Sequence, residues 1–178
     1  LMPRKVDAQA RREEVLDRAF PLFAERGYHA LGMRELAASL EVTTGLLYHY
    51  FESKPELFRQ AVRARIEQQI VRALARLSGE EDRLAGLLGF LAEEEAELLQ
   101  TLRVGLEYRH ADPEAGHFIH EMLERYERSL AEHLGLDPAT ARSWVNLSLG
   151  VLTRRLLDPT APEMQVQLQA LTDLAPGR

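Results

Sequence analysis

Residues 43–54 read Thr43-Thr44-Gly45-Leu46-Leu47-Tyr48-His49-Tyr50-Phe51-Glu52-Ser53-Lys54. Thr43 is a good N-cap for a helix over about 44–50, since its hydroxyl can accept an orphan amide of the first turn. Two turns are too few to stand alone, because nucleation costs more than so few hydrogen bonds return. This aromatic helix must be held by its neighbours. Ser53 and Glu56 have the capping-box spacing that opens a further helix, with Lys54 and Pro55 in its first turn.

Upstream, Val15, Leu16, Ala19, Phe20, Phe23 and Ala24 recur at helical spacing and stop at Gly27, which gives a first helix over about 8–26. Met33, Leu36, Ala37 and Leu40 make a second, short helix with Gly32 as its cap. A turn at Glu41 and Val42 separates it from Thr43. Downstream, Leu57, Phe58, Ala61, Val62, Ile66, Ile70, Leu74 and Leu77 keep one stripe apolar up to Ser78-Gly79, so a long helix can bridge two subdomains. Every later segment is helical in pattern, and no window alternates like a half-buried strand. Asp112-Pro113, Gly135, Asp137-Pro138 and Asp158-Pro159 punctuate helices over about 84–111, 114–134, 138–157 and 162–174. The expected fold class is all-α.

The chain has 178 residues, 46% of them hydrophobic, no cysteine and a net charge of −6. No disulfide scaffold, thiol catalysis or cysteine-ligated zinc is available. No long uncharged apolar run is present and the first residues do not read as a signal peptide, so the expected location is cytoplasmic. A net negative charge opposes contact with phosphate, but it is unevenly spread. Residues 1–65 carry eleven Lys/Arg against nine Asp/Glu, and residues 66–178 carry eleven against nineteen. The basic charge travels with the aromatic helix, as in a DNA reader joined to a separate acidic body.

Two short helices joined by a three- or four-residue turn match a helix-turn-helix, whose second helix enters the major groove. The residues are more specific than the pattern. Leu22-Phe23-Ala24-Glu25-Arg26-Gly27-Tyr28, Arg34-Glu35-Leu36-Ala37 and Gly45-Leu46-Leu47-Tyr48-His49-Tyr50-Phe51 with Ser53-Lys54 closely resemble the DNA-binding domain of the TetR family of transcriptional repressors, over about residues 11–62. The resemblance implies a three-helix helix-turn-helix domain over residues 1–53, joined by a long helix to a helical effector-binding and dimerisation domain over residues 54–178. It implies DNA contacts by Arg34, Thr43, Thr44, Gly45, Leu47, Tyr48, His49, Tyr50 and Lys54. Thr44 stands where the family often has lysine, which removes a charged contact and should flatten the salt dependence of binding by about one unit of slope. Glu41 stands where glycine is common, and a left-handed backbone there costs about 1 kcal/mol. A lysine at the start of a helix opposes the macrodipole, so Lys54 calls for a reason in function.

The resemblance further implies a homodimer paired through the last two helices, with Leu147, Leu149, Val151, Leu152, Leu156, Val166, Leu168 and Leu171 as apolar surface. It implies a ligand-responsive repressor of a palindromic operator, released by a small-molecule effector, and an apolar pocket lining would suit a lipophilic or aromatic one. Candidate effector contacts are Leu88, Leu102, Leu106, Phe118, Met122 and Trp144, with Arg103, Glu107, Tyr108, His110, His117 and Asn146 as polar partners. No cofactor and no catalysis are called for. A rival reading pairs Glu107 with His110 and Glu114 with His117, with His120 nearby, at the i, i+3 spacing of di-iron carboxylate bundles. That reading would make the chain a helical metal-binding protein or a di-iron-type enzyme.

Overall fold

The structure is a computed structural model that describes residues 3–78 and 83–173. Among them are eight helices and no strand. In chain order these are α1 (Pro3–Arg26), α2 (Met33–Leu40), α3 (Thr44–Tyr50), α4 (Lys54–Ser78), α5 (Arg83–Ala111), α6 (Ala115–Leu134), α7 (Pro138–Leu157) and α8 (Met164–Asp173). The punctuation read from the sequence ends the helices where turn chemistry requires. Pro21 lies inside α1 without ending it. Asp137 caps α7, its Oδ1 accepting from the amides of Ala139 at 3.0 Å and Thr140 at 3.1 Å, with Pro138 in the first turn. Gly79 and Leu174 lie outside the described residues.

Packing divides the chain into two compact units. The first comprises Leu1–Glu67 and Val104–Phe118, and the second comprises Gln68–Arg103 and Ile119–Arg178. The helices α4, α5 and α6 each contribute residues to both. Packing does not divide the chain after residue 53, since it draws the start of α4 and the corner between α5 and α6 into the first unit.

The first unit is centred on aromatic rings. Phe23 meets Phe58 edge-on at 5.1 Å, and Tyr28 meets Phe58 at 4.9 Å. Tyr108 then joins Phe58 at 4.4 Å, Tyr28 at 5.1 Å and Phe118 at 6.0 Å. Offset and edge-on contacts at these separations add about 0.5–1.5 kcal/mol per pair beyond burial alone. Leu31, Leu36, Leu40, Leu47, Phe51 and Leu57 complete the interior.

The second unit has an aliphatic core. Leu77, Leu87, Leu88, Phe90 and Leu91 pack with Val151, Leu152, Met164 and Leu168, and Trp144 lies against them. The acidic run Glu93-Glu94-Glu95 lies within α5 and does not interrupt it, because each carboxylate meets an arginine. Glu93 reaches Arg76 at 3.6 Å, Glu94 reaches Arg72 at 2.6 Å, and the buried Glu95 reaches Arg155 at 2.5 Å. Glu95 also accepts the amide of Met164 at 3.0 Å, while Arg155 donates to the carbonyl of Ala161. That network fixes the turn between α7 and α8.

Candidate functional site

The turn from α2 to α3 is set by backbone geometry. Val42 N–H donates to Ala37 C=O at 3.0 Å and Glu41 N–H to Ala38 C=O at 3.2 Å, the paired bonds of a Schellman helix ending. Glu41 occupies its left-handed position, at φ 59° and ψ 38°, where the sequence reading placed the strain. Thr43 then caps α3 as its position demands, its Oγ1 accepting from Leu46 N–H at 3.1 Å. Phe51 ends the helix in extended backbone and is buried, with the Arg12 guanidinium 5.5 Å from its ring centre.

This anchoring sorts the expected contact residues by face. Leu47 is fully buried at 0% exposure, so it cannot touch DNA. It is the knob that seats α3 on its neighbours. Tyr48 is 55% exposed, a position that forgoes part of the roughly 1.5–3 kcal/mol a large side chain gains on burial. Thr43, Gly45 and His49 are exposed beside it, and Thr44 and Tyr50 are half-buried. The His49 and Tyr50 rings meet at 5.1 Å. Arg34, on α2, is exposed as well. Among the described residues a Cβ added at Gly45 would meet only Thr43 Oγ1, at 4.0 Å, so none of them requires glycine there.

Lys54 has a structural task that its sequence position did not reveal. Its Nζ donates to the carbonyl of Tyr28 at 2.9 Å and lies 4.1 Å from the Tyr28 ring centre. Burial holds its pKa below the usual lysine value. On the other side of the same residue, Tyr28 N–H donates to Glu107 Oε2 at 3.1 Å. The turn after α1 is therefore gripped through both polar backbone atoms of one residue. Gly27 enters this turn at φ 84°, and a Cβ there would come within 2.9 Å of the same Glu107 oxygen. The capping box at Ser53 is only half made. Its hydroxyl accepts the Glu56 amide at 3.3 Å, but the Glu56 carboxylate turns away to Arg59 and Gln60.

The corner between α5 and α6 carries a second polar cluster. Tyr108 donates its hydroxyl to Asp112 Oδ2 at 2.5 Å, and Arg59 donates to the Tyr108 oxygen at 3.2 Å and to Asp112 at 3.4 Å. Burial, then the bond to Asp112, holds the Tyr108 phenol far above its ordinary range, so it remains a donor. That bond in turn holds the Asp112 carboxyl below the usual carboxylate value.

These placements separate the residues of the expected effector set. Glu107 and Tyr108 are committed to the first unit, and Phe118 packs on Tyr108 there. The cavity of the second unit lies elsewhere, with a volume of about 120 Å³. Its wall includes Gln69, Phe90, Leu91, Tyr126, Trp144 and Leu149, and of the expected contacts only Trp144 belongs to it. Leu88 and Met122 are buried in the interior without reaching it, and Leu102 packs on the aliphatic core. Arg103, Leu106, His110, His117 and Asn146 are exposed and do not line it. Sequence reasoning missed Gln69 and Tyr126, whose bond from Tyr126 Oη to Gln69 Oε1 at 2.6 Å crosses from α6 to α4 within the second unit. A fully buried glutamine on an otherwise apolar stripe is the signal that could have marked it.

The metal reading finds no constellation. Glu107 is engaged with Tyr28, His117 faces Glu114 at 3.5 Å, and His120 faces Glu124 at 3.4 Å. Among the described residues no group of three His, Cys, Asp or Glu is arranged to hold a metal ion.

Residues 15–61 match the family model described as bacterial regulatory proteins, tetR family. That stretch of the chain is similar to the N-terminal region of the tetR family. The TetR-family match falls on α1 to α3 and the start of α4. Among curated relatives, the HTH-type transcriptional regulator UidR of Escherichia coli K12 is 38% identical over 72 residues, 40% of this chain and 35% of that protein. The HTH-type transcriptional repressor KstR2 of Rhodococcus jostii RHA1 is 43% identical over 53 residues, 30% of this chain and 26% of that protein. The matches thus span about a third or less of those relatives. The crystal structure of the multidrug binding protein EbrR complexed with malachite green superposes with a TM-score of 0.71 and 26% identity, covering 94% of this chain and 99% of that one. UidR is thus a transcriptional regulator and KstR2 a transcriptional repressor. Among the described residues no helix is long and apolar enough to cross a membrane.

Proposed function

We propose that this chain is a cytoplasmic transcriptional repressor that binds a palindromic operator as a homodimer and is released by a small-molecule effector. The observation that carries the reading is the outward face of α3. Tyr48, His49, Thr43 and Gly45 are displayed there while Leu47 and Phe51 hold the helix from behind. A recognition helix offers base edges and phosphates its exposed side chains. Arg34, Thr44 and Tyr50 supply flanking phosphate contacts. Lys54 keeps two further donors on its ammonium after the one spent on Tyr28, so it serves both the turn and a phosphate. In this division of labour residues 1–53 read DNA, and residues 54–178 bind effector and dimerise.

Dimerisation through α7 and α8 draws on their outward side. Val151, Leu152 and Leu168 are buried in their own unit and cannot pair with a second copy. Leu147, Leu157 and Val166 are exposed large apolar side chains, and Leu156 is just over a third exposed. Gly150 stands on the same side of α7 as Leu147, with open space over it. Leu149 lines the cavity, and the side chain of Leu171 lies outside the described residues. The dimer is needed because two half-sites about 34 Å apart are read together only by two linked recognition helices. An effector releases DNA by favouring a dimer in which that separation no longer fits, to the extent of its differential affinity for the two arrangements.

Binding to the DNA upstream of the chain's own coding sequence, followed by fluorescence anisotropy, tests the assignment. Replacing Tyr48 and His49 by alanine should weaken binding at least about tenfold, since each good base contact contributes about 1–3 kcal/mol. Equal affinity of the double variant and the unchanged protein would remove the reading.

A further inference from the structure

We propose that the effector of the second unit is an amphiphilic oxyanion, an apolar chain or ring bearing one terminal carboxylate or phosphate. The proposal rests on the effector reading above and adds the chemical class. The cavity alone offers an apolar wall with the uncharged polar groups of Gln69, Tyr126 and Ser129, and no charged side chain lines it. It receives an apolar group and gives a buried charge no partner.

A second cleft, of about 270 Å³, supplies what the first lacks. It is lined by Ile70, Arg125, Arg128, Ser129, Glu132 and His133. Ile70 and Ser129 belong to both walls, so the two spaces adjoin. The helical turn explains the change of character. Along α6, Leu123, Tyr126 and Leu130 face the cavity, whereas Arg125, Arg128 and His133 face the cleft, and Ser129 stands on the border. Glu132 is the one carboxylate of the cleft wall, against two guanidinium groups. Among the described residues Arg128 has no hydrogen bond or ion pair. An arginine fork matches a carboxylate or phosphate through two parallel bonds, and charge-assisted bonds of this kind are about twice as strong as neutral ones. A ligand with its tail between Trp144 and Leu91 and its oxyanion at Arg128 satisfies both spaces at once.

Trp144 is the single tryptophan of the chain and lines the cavity, so its emission reports filling. The full chain is titrated with octanoate, octyl phosphate and octanol. At least one anion should saturate the Trp144 signal at a concentration about tenfold below that of octanol, the factor expected for roughly one charge-assisted contact. Arg128→Gln, or Arg125→Gln as a second variant, should bring that ratio to within about twofold while leaving the octanol midpoint in place. The tighter anion identifies the head group. Octanol binding as well as both anions, an anion preference that survives both substitutions, or no response to any probe would overturn the proposal. Anions that bind as expected but leave operator affinity unchanged would uphold the ligand class and overturn the release mechanism. Release of DNA by octanol alone would do the reverse.

Discussion

Glu41 shows how one side chain can carry a cost that the fold requires. Its φ of 59° is the single positive value at a non-glycine position among the described residues. Leaving the α2 helix through a Schellman ending demands that conformation, and a Cβ in it is penalised by about 1–2 kcal/mol. Part of that is recovered because glycine has more freedom to lose from the unfolded chain. Glu41→Gly should therefore stabilise the protein by about 0.5–1 kcal/mol, read as a higher urea midpoint at unchanged slope. Asp112 supplies a pH-dependent counterpart. Its side chain is 13% exposed, and the hydrogen bond from Tyr108 chiefly holds its pKa below the ordinary 3.8. In the folded state it therefore binds fewer protons than in the unfolded state over that acid window. Its stabilisation is complete above the unfolded value and is lost as pH falls through the depressed folded one. Asp112→Asn should lower the urea midpoint near neutral pH and narrow the gap between neutral and strongly acidic midpoints; an unchanged gap would count against the Tyr108–Asp112 bond. Neither Glu107 nor Lys54 was legible at this scale. The carboxylate of Glu107 meets a backbone amide 79 positions away, and no local pattern records such a partner.

Among the elements, legibility follows the number of apolar faces. The helix α2 has one buried stripe, Met33, Leu36, Ala37 and Leu40, and its bounds and facing follow directly from spacing. Thr43 and Asp137 announce α3 and α7 because capping is chemistry within three residues. The helix α7 defeats the same reasoning because it is apolar on two sides. Val151 and Leu152 enter the core while Leu147 and Leu156 face outward, although the sequence reading set all four on one surface. The expected effector residues do not share one cavity, for a related reason. Whether an apolar residue on α5 or α6 lines a cavity or fills a core depends on which helix lies opposite, and the sequence of one helix does not carry that. On the outward side of α7, Gly150 offers a discriminating site, because an added Cβ meets nothing within 4 Å. If the proposed dimer forms there, Gly150→Glu should leave helical content intact and give a monomer in sedimentation velocity, since a charge opposite its own copy is repelled and desolvated. A dimer that persists would place the interface elsewhere.

For the whole molecule, the uneven charge of the sequence acquires a meaning. On the proposed function, the acidic balance of residues 66–178 disfavours contact with DNA while the mildly positive residues 1–65, which carry α3, favour it. Thr44 in place of lysine pushes in the same direction, leaving recognition to shaped contacts by Thr43, Tyr48 and His49 more than to bulk attraction. The fold class and the bounds of α3 were legible because both follow from periodicity and caps. The cavity was not, because its wall is drawn from helices distant in sequence, α4 to α8. The central claim is that two copies of α3 read two half-sites at once. Footprinting on the DNA upstream of the coding sequence tests this most directly. Two protected half-sites about one helical turn apart, both lost in Gly150→Glu and in the Tyr48 and His49 double variant, are the expected result. Protection of a single half-site, or two half-sites still protected by either variant, would contradict it.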